Sequence, residues 1–272
     1  MTAPAVPRPS GTQPVNPRRR PWPFPLNLYQ TAVGKKWAMA ISGLALLAFV
    51  IVHMIGNLKL YLGVVDGEYD INVYGEFLRE LLVPLLPRTY ALWLLRLGLI
   101  AMFALHIHAA YSLTVINRRS NVNYQSKRDY VAANFASRTM RISGIIVGLY
   151  LLFHLADLTW GWTMDDFQRG HAYENMVRSI GRWPVAIIYI VGNVLLCTHI
   201  YHGIWSAMQS MGVANPRYNH LRRAFATGTA VLLLVGNLSF PFAILTGIVD
   251  EQPDKLEHTP DGENAQSGSD SE

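Results

Sequence analysis

One cysteine, Cys197, occurs in 272 residues, and only 15% of the residues carry charge. A lone cysteine excludes an internal disulfide framework, and with it any zinc or iron–sulfur site built wholly from this chain's thiolates. The charge content falls well below the roughly 25% usual in soluble domains. Acidic residues are fewer than basic ones, giving a net charge of +5. The basic residues nevertheless gather in alternate loops rather than on one face, which argues for membrane topology and against nucleic-acid binding. The first stretch lacks an apolar core, so it is no signal peptide. Residues 1–30 read as a disordered, Pro- and Arg-rich cytoplasmic arm, and residues 251–272 as a disordered acidic tail.

What the chain has in quantity is apolar sequence, 51% of its residues. It collects into five runs, Trp37–Leu60, Tyr90–Ile116, Thr139–Trp160, Trp183–Met211 and Ala224–Val249, each near the roughly 20 residues that cross a bilayer. The fold class expected is an all-α membrane protein, with residues 31–250 forming five transmembrane helices. Trp37, Trp160, Trp162 and Trp183 stand near helix ends, as an interfacial belt does.

The loops set an orientation. Arg8, Arg18, Arg19, Arg20, Lys35 and Lys36 precede or open the first helix; Arg118, Arg119, Lys127 and Arg128 follow the second; Arg217, Arg222 and Arg223 follow the fourth. The first connection instead carries Asp66, Glu68, Asp70, Glu76 and Glu80, and the third Asp165, Asp166 and Glu174, although Arg169, Arg178 and Arg182 dilute the contrast there. Short loops rich in Lys and Arg stay cytoplasmic, which predicts a cytoplasmic N-terminus and an outside C-terminus.

Histidines recur inside four of these helices: His53, His106 with His108, His154, and His199 with His202. Imidazole in hydrocarbon is costly without a partner, and it is also the axial ligand of b-type haem. At about 1.5 Å per residue, His53 lies roughly 25 Å and His154 about 20 Å along helices that run outward. Both fall in the outer half. His106, His108, His199 and His202 fall in the inner half. Four helices thus offer two pairs at two levels, the arrangement that two stacked bis-histidine haems need. Residues two apart on a helix point about 200° away from each other, so His106 and His108 do not share a site. His199 and His202 share a side, and either is a candidate ligand. Asp157, three residues after His154, is placed to orient an imidazole or relay protons. Gly43, Gly56, Gly144, Gly148 and Gly203 leave room for a macrocycle or for close helix contact.

Two other readings use the same residues. Cys197, two before His199, suggests a mixed Cys/His iron–sulfur centre, although a Rieske-type [2Fe–2S] cluster needs two cysteines with two histidines. A histidine-lined proton channel or transporter is the second, but inverted repeats and helices broken near the midplane are not evident.

Certain motifs carry a resemblance. Lys35-Lys36-Trp37-Ala38-Met39-Ala40-Ile41-Ser42-Gly43 with His53-Met54-Ile55-Gly56-Asn57-Leu58, His106 followed by Asn117-Arg118-Arg119 and Tyr124, and Arg138-Thr139-Met140-Arg141-Ile142-Ser143-Gly144 leading to Phe153-His154-Leu155 are three of them. The fourth is His199-Ile200-Tyr201-His202-Gly203-Ile204-Trp205-Ser206-Ala207-Met208-Gln209 with Gly212. Over residues 30 to 250 the chain resembles the single-chain cytochrome b membrane anchor of succinate dehydrogenase and fumarate reductase, respiratory complex II.

The resemblance implies a bacterial-type inner-membrane subunit docked to a flavoprotein and an iron–sulfur subunit, in complexes that can assemble as trimers. It implies electron transfer to a membrane quinone, menaquinone or ubiquinone, through one or two haems b. Haem content varies within that family from two to none. The outer pair would be His53 with His154, and the inner pair His106 with His199. For the quinone, a groove at headgroup level with donors to its carbonyls is required. Near the inner face Trp37, Ser42, Arg141, His202, Ser206 and Gln209 are candidates, with Tyr29 in the approach. At the outer face Glu68, Glu76 and Asp157 are candidates for proton transfer. Nothing in the chain resembles a flavin or dicarboxylate site.

Overall fold

Thr31 fixes where the first long helix begins. Its side chain accepts a hydrogen bond from Gly34 N at 2.9 Å and donates to Leu28 O at 2.8 Å, an N-cap that satisfies one of the orphan donors of the first turn. Helix α2 therefore runs over Ala32–Asn57, starting before Trp37, and a five-residue helix α1, Leu26–Gln30, folds back against it. The computed structural model describes residues 23–24, 26–120, 130–213, 215–252 and 256, and only the backbone of 119–120 and 130–138. Arg8, Arg18, Arg19, Arg20, Tyr124, Lys127, Arg128 and the tail beyond 256 lie outside the described residues, as do the Arg119 and Arg138 side chains.

A 3-10 turn (Leu58–Leu62) continues α2 into a small hairpin, β1 (Val64–Val65) and β2 (Glu68–Tyr69), paired Val64 to Tyr69 and Val65 to Glu68. Then come α3 (Asp70–Arg79), α4 (Tyr90–Ser120), α5 (Tyr130–Leu158), α6 (Ala172–Ile180), α7 (Trp183–Ser210) and α8 (Asn219–Leu245). Five of these helices, α2, α4, α5, α7 and α8, are long and apolar enough to cross a membrane. Their outward surfaces carry exposed Leu94, Leu95, Ile145, Leu149 and Val235, and with every backbone bond made inside the segment a helix can face lipid. The chain is an all-α, multi-pass membrane protein by this architecture.

Helix α7 is the central element, packing on α2, α5, α6 and α8, while α4 packs on α2. Helices α2 and α5 are not close neighbours, nor are α4 and α7. Pro184 sits in the first turn of α7, where a missing N–H is harmless. Pro241 lies buried inside α8, which nevertheless continues to Leu245 and stops at Gly247, whose φ of 74° terminates the helix. The fifth apolar run therefore begins earlier and ends sooner as a helix than hydropathy alone places it.

Helices α3 and α6 occupy the first and third connections, which the apolar runs leave as loops. Both are short and amphipathic, and they close the end of the bundle where α2 and α5 finish. Tyr69 and Tyr173 stack there at 3.8 Å between ring centres. Asn72 ties α3 to α6, accepting from Tyr173 N and donating to Glu174 Oε2, each at 2.9 Å. The chain after α8 returns to the same place: Tyr173 Oη donates to Asp250 O at 2.7 Å, Gln252 N to Tyr69 Oη at 2.6 Å, and Arg178 Nε to Glu251 Oε1 at 2.6 Å.

Burial works against the Glu174 carboxylate, but hydrogen bonds from Asn72 and His171 outweigh it and hold the carboxyl below its usual range. A depressed carboxyl stabilises the folded cap in full above the free-carboxyl range, and that stability is lost as pH falls through the lowered value. Hydrogen exchange at the Tyr173 amide, corrected for its intrinsic rate, is expected to accelerate as pH falls below the free-carboxyl range. In Glu174→Gln the acid-dependent step should vanish.

Candidate functional site

Four histidines meet in two pairs. The rings of His53 on α2 and His154 on α5 are 5.9 Å apart at 81°, and those of His106 on α4 and His199 on α7 are 6.4 Å apart at 74°. Because α2 and α5, and likewise α4 and α7, are not adjacent, each pair spans a diagonal of the four helices. Ten residues separate Gly43 from His53, and ten separate Gly144 from His154, which sets the two levels about 15 Å apart along the helices.

The His106–His199 pair is held from behind in the same way on both sides. His106 Nδ1 lies 3.2 Å from Met39 O and 3.3 Å from Ser42 Oγ. His199 Nδ1 lies 3.2 Å from Ser143 Oγ, and the Met140 backbone is also a partner of His199. A carbonyl only accepts, so the Nδ1 facing it carries the proton and Nε2 keeps its lone pair, the tautomer suited to metal ligation. Gly43 and Gly144 allow the close approach: a Cβ at Gly43 would stand 3.1 Å from His106 Cε1, and one at Gly144 3.3 Å from His199 Cε1.

These residues fit haem. An ion between two imidazoles, with metal–nitrogen bonds of about 2 Å and ring centres roughly 1.1 Å behind each nitrogen, sets the centres about 6 Å apart. Both pairs have that spacing. Among the described residues no group of three or more His, Cys, Asp or Glu converges on a metal position, so each pair could offer a metal ion at most its two imidazoles. His154 Nδ1 is buried without a partner, and His53 is exposed with Phe49 stacked on it at 5.4 Å.

Asp157 makes no hydrogen bond to His154. It is completely buried and accepts from Ser179 Oγ at 2.6 Å, Tyr189 Oη at 2.7 Å, Arg182 Nη2 at 3.3 Å and the Thr163 hydroxyl. Tyr189, which donates to Asp157, also meets the His154 imidazole edge-on at 5.9 Å. Tyr150 packs on both, accepting from Asn193 Nδ2 at 3.1 Å. Gly192 gives Tyr150 its place, since a Cβ there would run into the ring. Gly192→Ala is expected to cost about 1–3 kcal/mol by overpacking, read as a lower unfolding temperature in detergent.

The other candidates are dispersed. Ser42 is fully buried beneath His106 rather than at an open groove. Trp37, Arg141 and Gln209 are exposed, Ser206 is half-buried, and they stand on α2, α5 and α7. Glu68 is exposed in the hairpin, and Glu76 pairs with Arg79 and Arg88. His108 turns outward to Tyr29, and His202 is half-buried against Tyr201. Cys197 is buried in the core.

Tyr189, Tyr150, Met39, Met140 and Ser143 escape a search for histidines alone. A signal for three of them is present: Met-x-Ile-Ser-Gly occurs at 39–43 and at 140–144, and His53 and His154 follow each copy at the same distance. Both copies lie on helices running the same way, so the repeat is parallel and not inverted.

The chain matches no family profile, no curated protein and no solved structure. Fold and side-chain geometry define the class, a membrane protein with five membrane-length helices and two histidine pairs among the described residues.

Proposed function

We propose that this chain is the membrane-anchor subunit of a succinate:quinone oxidoreductase, with His53 and His154 holding one haem b and His106 and His199 another. The observation that carries the reading is the pair of ring separations, 5.9 and 6.4 Å, at two levels on opposite diagonals. Haem, when bound, supplies reversible one-electron chemistry between a soluble iron–sulfur subunit and membrane quinone. The chain's own residues do the positioning. Met39 and Ser42 fix the proton of His106 on Nδ1, Ser143 and Met140 do so for His199, and Tyr189 and Tyr150 wall the ring of His154. Basic loops support a cytoplasmic N-terminus and an outside C-terminus, and the resemblance to complex II anchors supports a bacterial-type inner membrane.

An iron–sulfur centre at the inner histidines fits less well. It takes four protein ligands, and no third His, Cys, Asp or Glu joins either pair among the described residues. A transporter is also disfavoured, because the four histidine-bearing helices run unbroken through their apolar spans.

The test is a dithionite-reduced-minus-oxidised spectrum of the detergent-purified complex, with a pyridine haemochrome assay and iron and sulfide counts. About two haems b per chain, with succinate-reducible absorbance and copurifying flavoprotein and iron–sulfur subunits, is the expected result. Absence of haem, with acid-labile sulfide beyond what the soluble subunit holds, would overturn it in favour of a cluster.

A further inference from the structure

Helix α8 packs on α7 through one face and leaves another open. Arg222, Ala226, Ala230 and Leu233 are buried on the packed face. The open face carries a groove of about 820 Å³, lined by His220, Arg223, Ala224, Thr227, Gly228 and Val231, all exposed. Their spacing of three and four keeps them on one stripe of the helix, over a length of about 16 Å. The floor is low because its residues are small, and a Cβ at Gly228 would meet nothing within 4 Å. Leu221, Phe225 and Leu232, exposed on the next stripe, raise a wall beside it. One end of the groove is basic and meets the loop between α7 and α8. The other runs into the apolar span.

The basic end is not neutralised. Arg222 Nη1 donates to Asn219 Oδ1 at 2.9 Å and Nη2 to Trp205 O at 3.3 Å, while its buried Nε has no partner. Its guanidinium lies 4.3 Å from the centre of the Trp205 ring, and that of Arg223 lies 6.0 Å from the same ring. Two cations therefore share one indole. Among the described residues no carboxylate pairs with Arg217, Arg222 or Arg223. The first turn of α8 holds no acidic residue either, so the positive end of the helix adds to the same field. Arginines gathered without a counter-charge favour a phosphate or carboxylate beside them.

We propose that this groove binds an anionic phospholipid of the inner leaflet, its phosphate at His220 and Arg223 and an acyl chain along Ala224, Thr227, Gly228 and Val231. Polarity along the groove matches such a molecule end for end. The basic loop belongs at the cytoplasmic surface, where anionic lipids concentrate and each nearby Lys or Arg strengthens their binding. A zwitterionic lipid would leave the cations uncompensated. An acidic protein or a free phosphate would answer the charge and leave the apolar trough unused. The site is independent of the histidine pairs and of any redox chemistry.

The experiment uses the full chain, purified in detergent with whatever subunits accompany it, as wild type, Arg223→Gln and Gly228→Leu. Gly228→Leu fills the trough without altering a charge, and the open space around Gly228 accommodates the larger side chain. Each protein is mixed with phosphatidylglycerol or phosphatidylcholine, and the lipid retained is counted by native mass spectrometry. Wild type is expected to retain more phosphatidylglycerol than phosphatidylcholine. Arg223→Gln should lower the phosphatidylglycerol affinity about fivefold, the usual effect of one cation at an anionic surface, and Gly228→Leu should lower it at least as far. Equal retention of the two lipids by wild type overturns the proposal, as does unchanged phosphatidylglycerol affinity in both variants. Displacement of phosphatidylglycerol by inorganic phosphate at equal concentration also overturns it, and would assign the cations to a free anion. A photoreactive side chain in place of Val231 identifies the occupant in native membranes. Cross-linking to phospholipid supports the proposal, and cross-linking to a polypeptide overturns it in favour of a protein neighbour.

Discussion

Replacing Asp157 by alanine is expected to lower stability by about 3–5 kcal/mol, the usual cost of breaking a buried charged pair. The carboxylate is wholly buried and takes hydrogen bonds from Thr163, Ser179, Arg182 and Tyr189. Removing it strands four donors, three of them on the segment that joins α5 to α7 through α6. Thermal unfolding in detergent should show a drop of roughly 10 °C for a chain of this size. Asp157→Asn keeps the shape but turns one acceptor into a donor facing donors, and should lose nearly as much. A variant within a degree of wild type would show that the network is not supporting the fold. Any change in the spectrum of the His154 pair is expected to track Tyr189, which Tyr189→Phe tests by removing the hydroxyl while keeping the ring.

The second large effect is spectroscopic. His106→Leu and His199→Leu are each expected to abolish the haem signal of the inner level and leave the outer one. His53→Leu and His154→Leu should do the converse. The diagonal pairing makes this sharp, since each level draws its two imidazoles from a different pair of helices. Reduced-minus-oxidised spectra with redox titration would separate the two components. Loss of all absorbance in every single variant, in complexes that still assemble, would contradict two independent sites. Ser42→Ala and Ser143→Ala are milder versions confined to the inner level, because the Met39 and Met140 backbones still restrain the imidazoles.

The five membrane-length helices are legible in the sequence because hydrophobic runs are long and the period does not matter at that length. The histidine levels are legible for a related reason, that depth follows from residue count on a continuous helix. Which of His106 and His108 turns inward stays open in the sequence, because helical phase without the neighbours does not say which side faces the bundle. Tyr29 decides it by capturing His108, a contact made by a five-residue helix too short to leave a periodic signal. The Asp157 network is hidden differently. Spacing puts the carboxylate on the His154 face, yet Ser179, Arg182 and Tyr189 lie 22 to 32 residues later, and only the folding of α6 over the bundle brings them near. Ser42 reads as a groove residue at the membrane edge, and its burial depends on how closely α4 approaches Gly43.

The diagonal arrangement also sets an order of maturation. A nascent chain inserts from its N-terminus, and the outer pair is complete once α5 has entered the bilayer, because His53 and His154 are both present by then. The inner pair waits for α7. A chain stalled between these points holds one finished histidine pair and a solitary His106, beside Met39 and Ser42, that still lacks its counterpart. Helix α8 carries no histidine in its apolar span and arrives after both pairs are complete, packing onto α7 from outside.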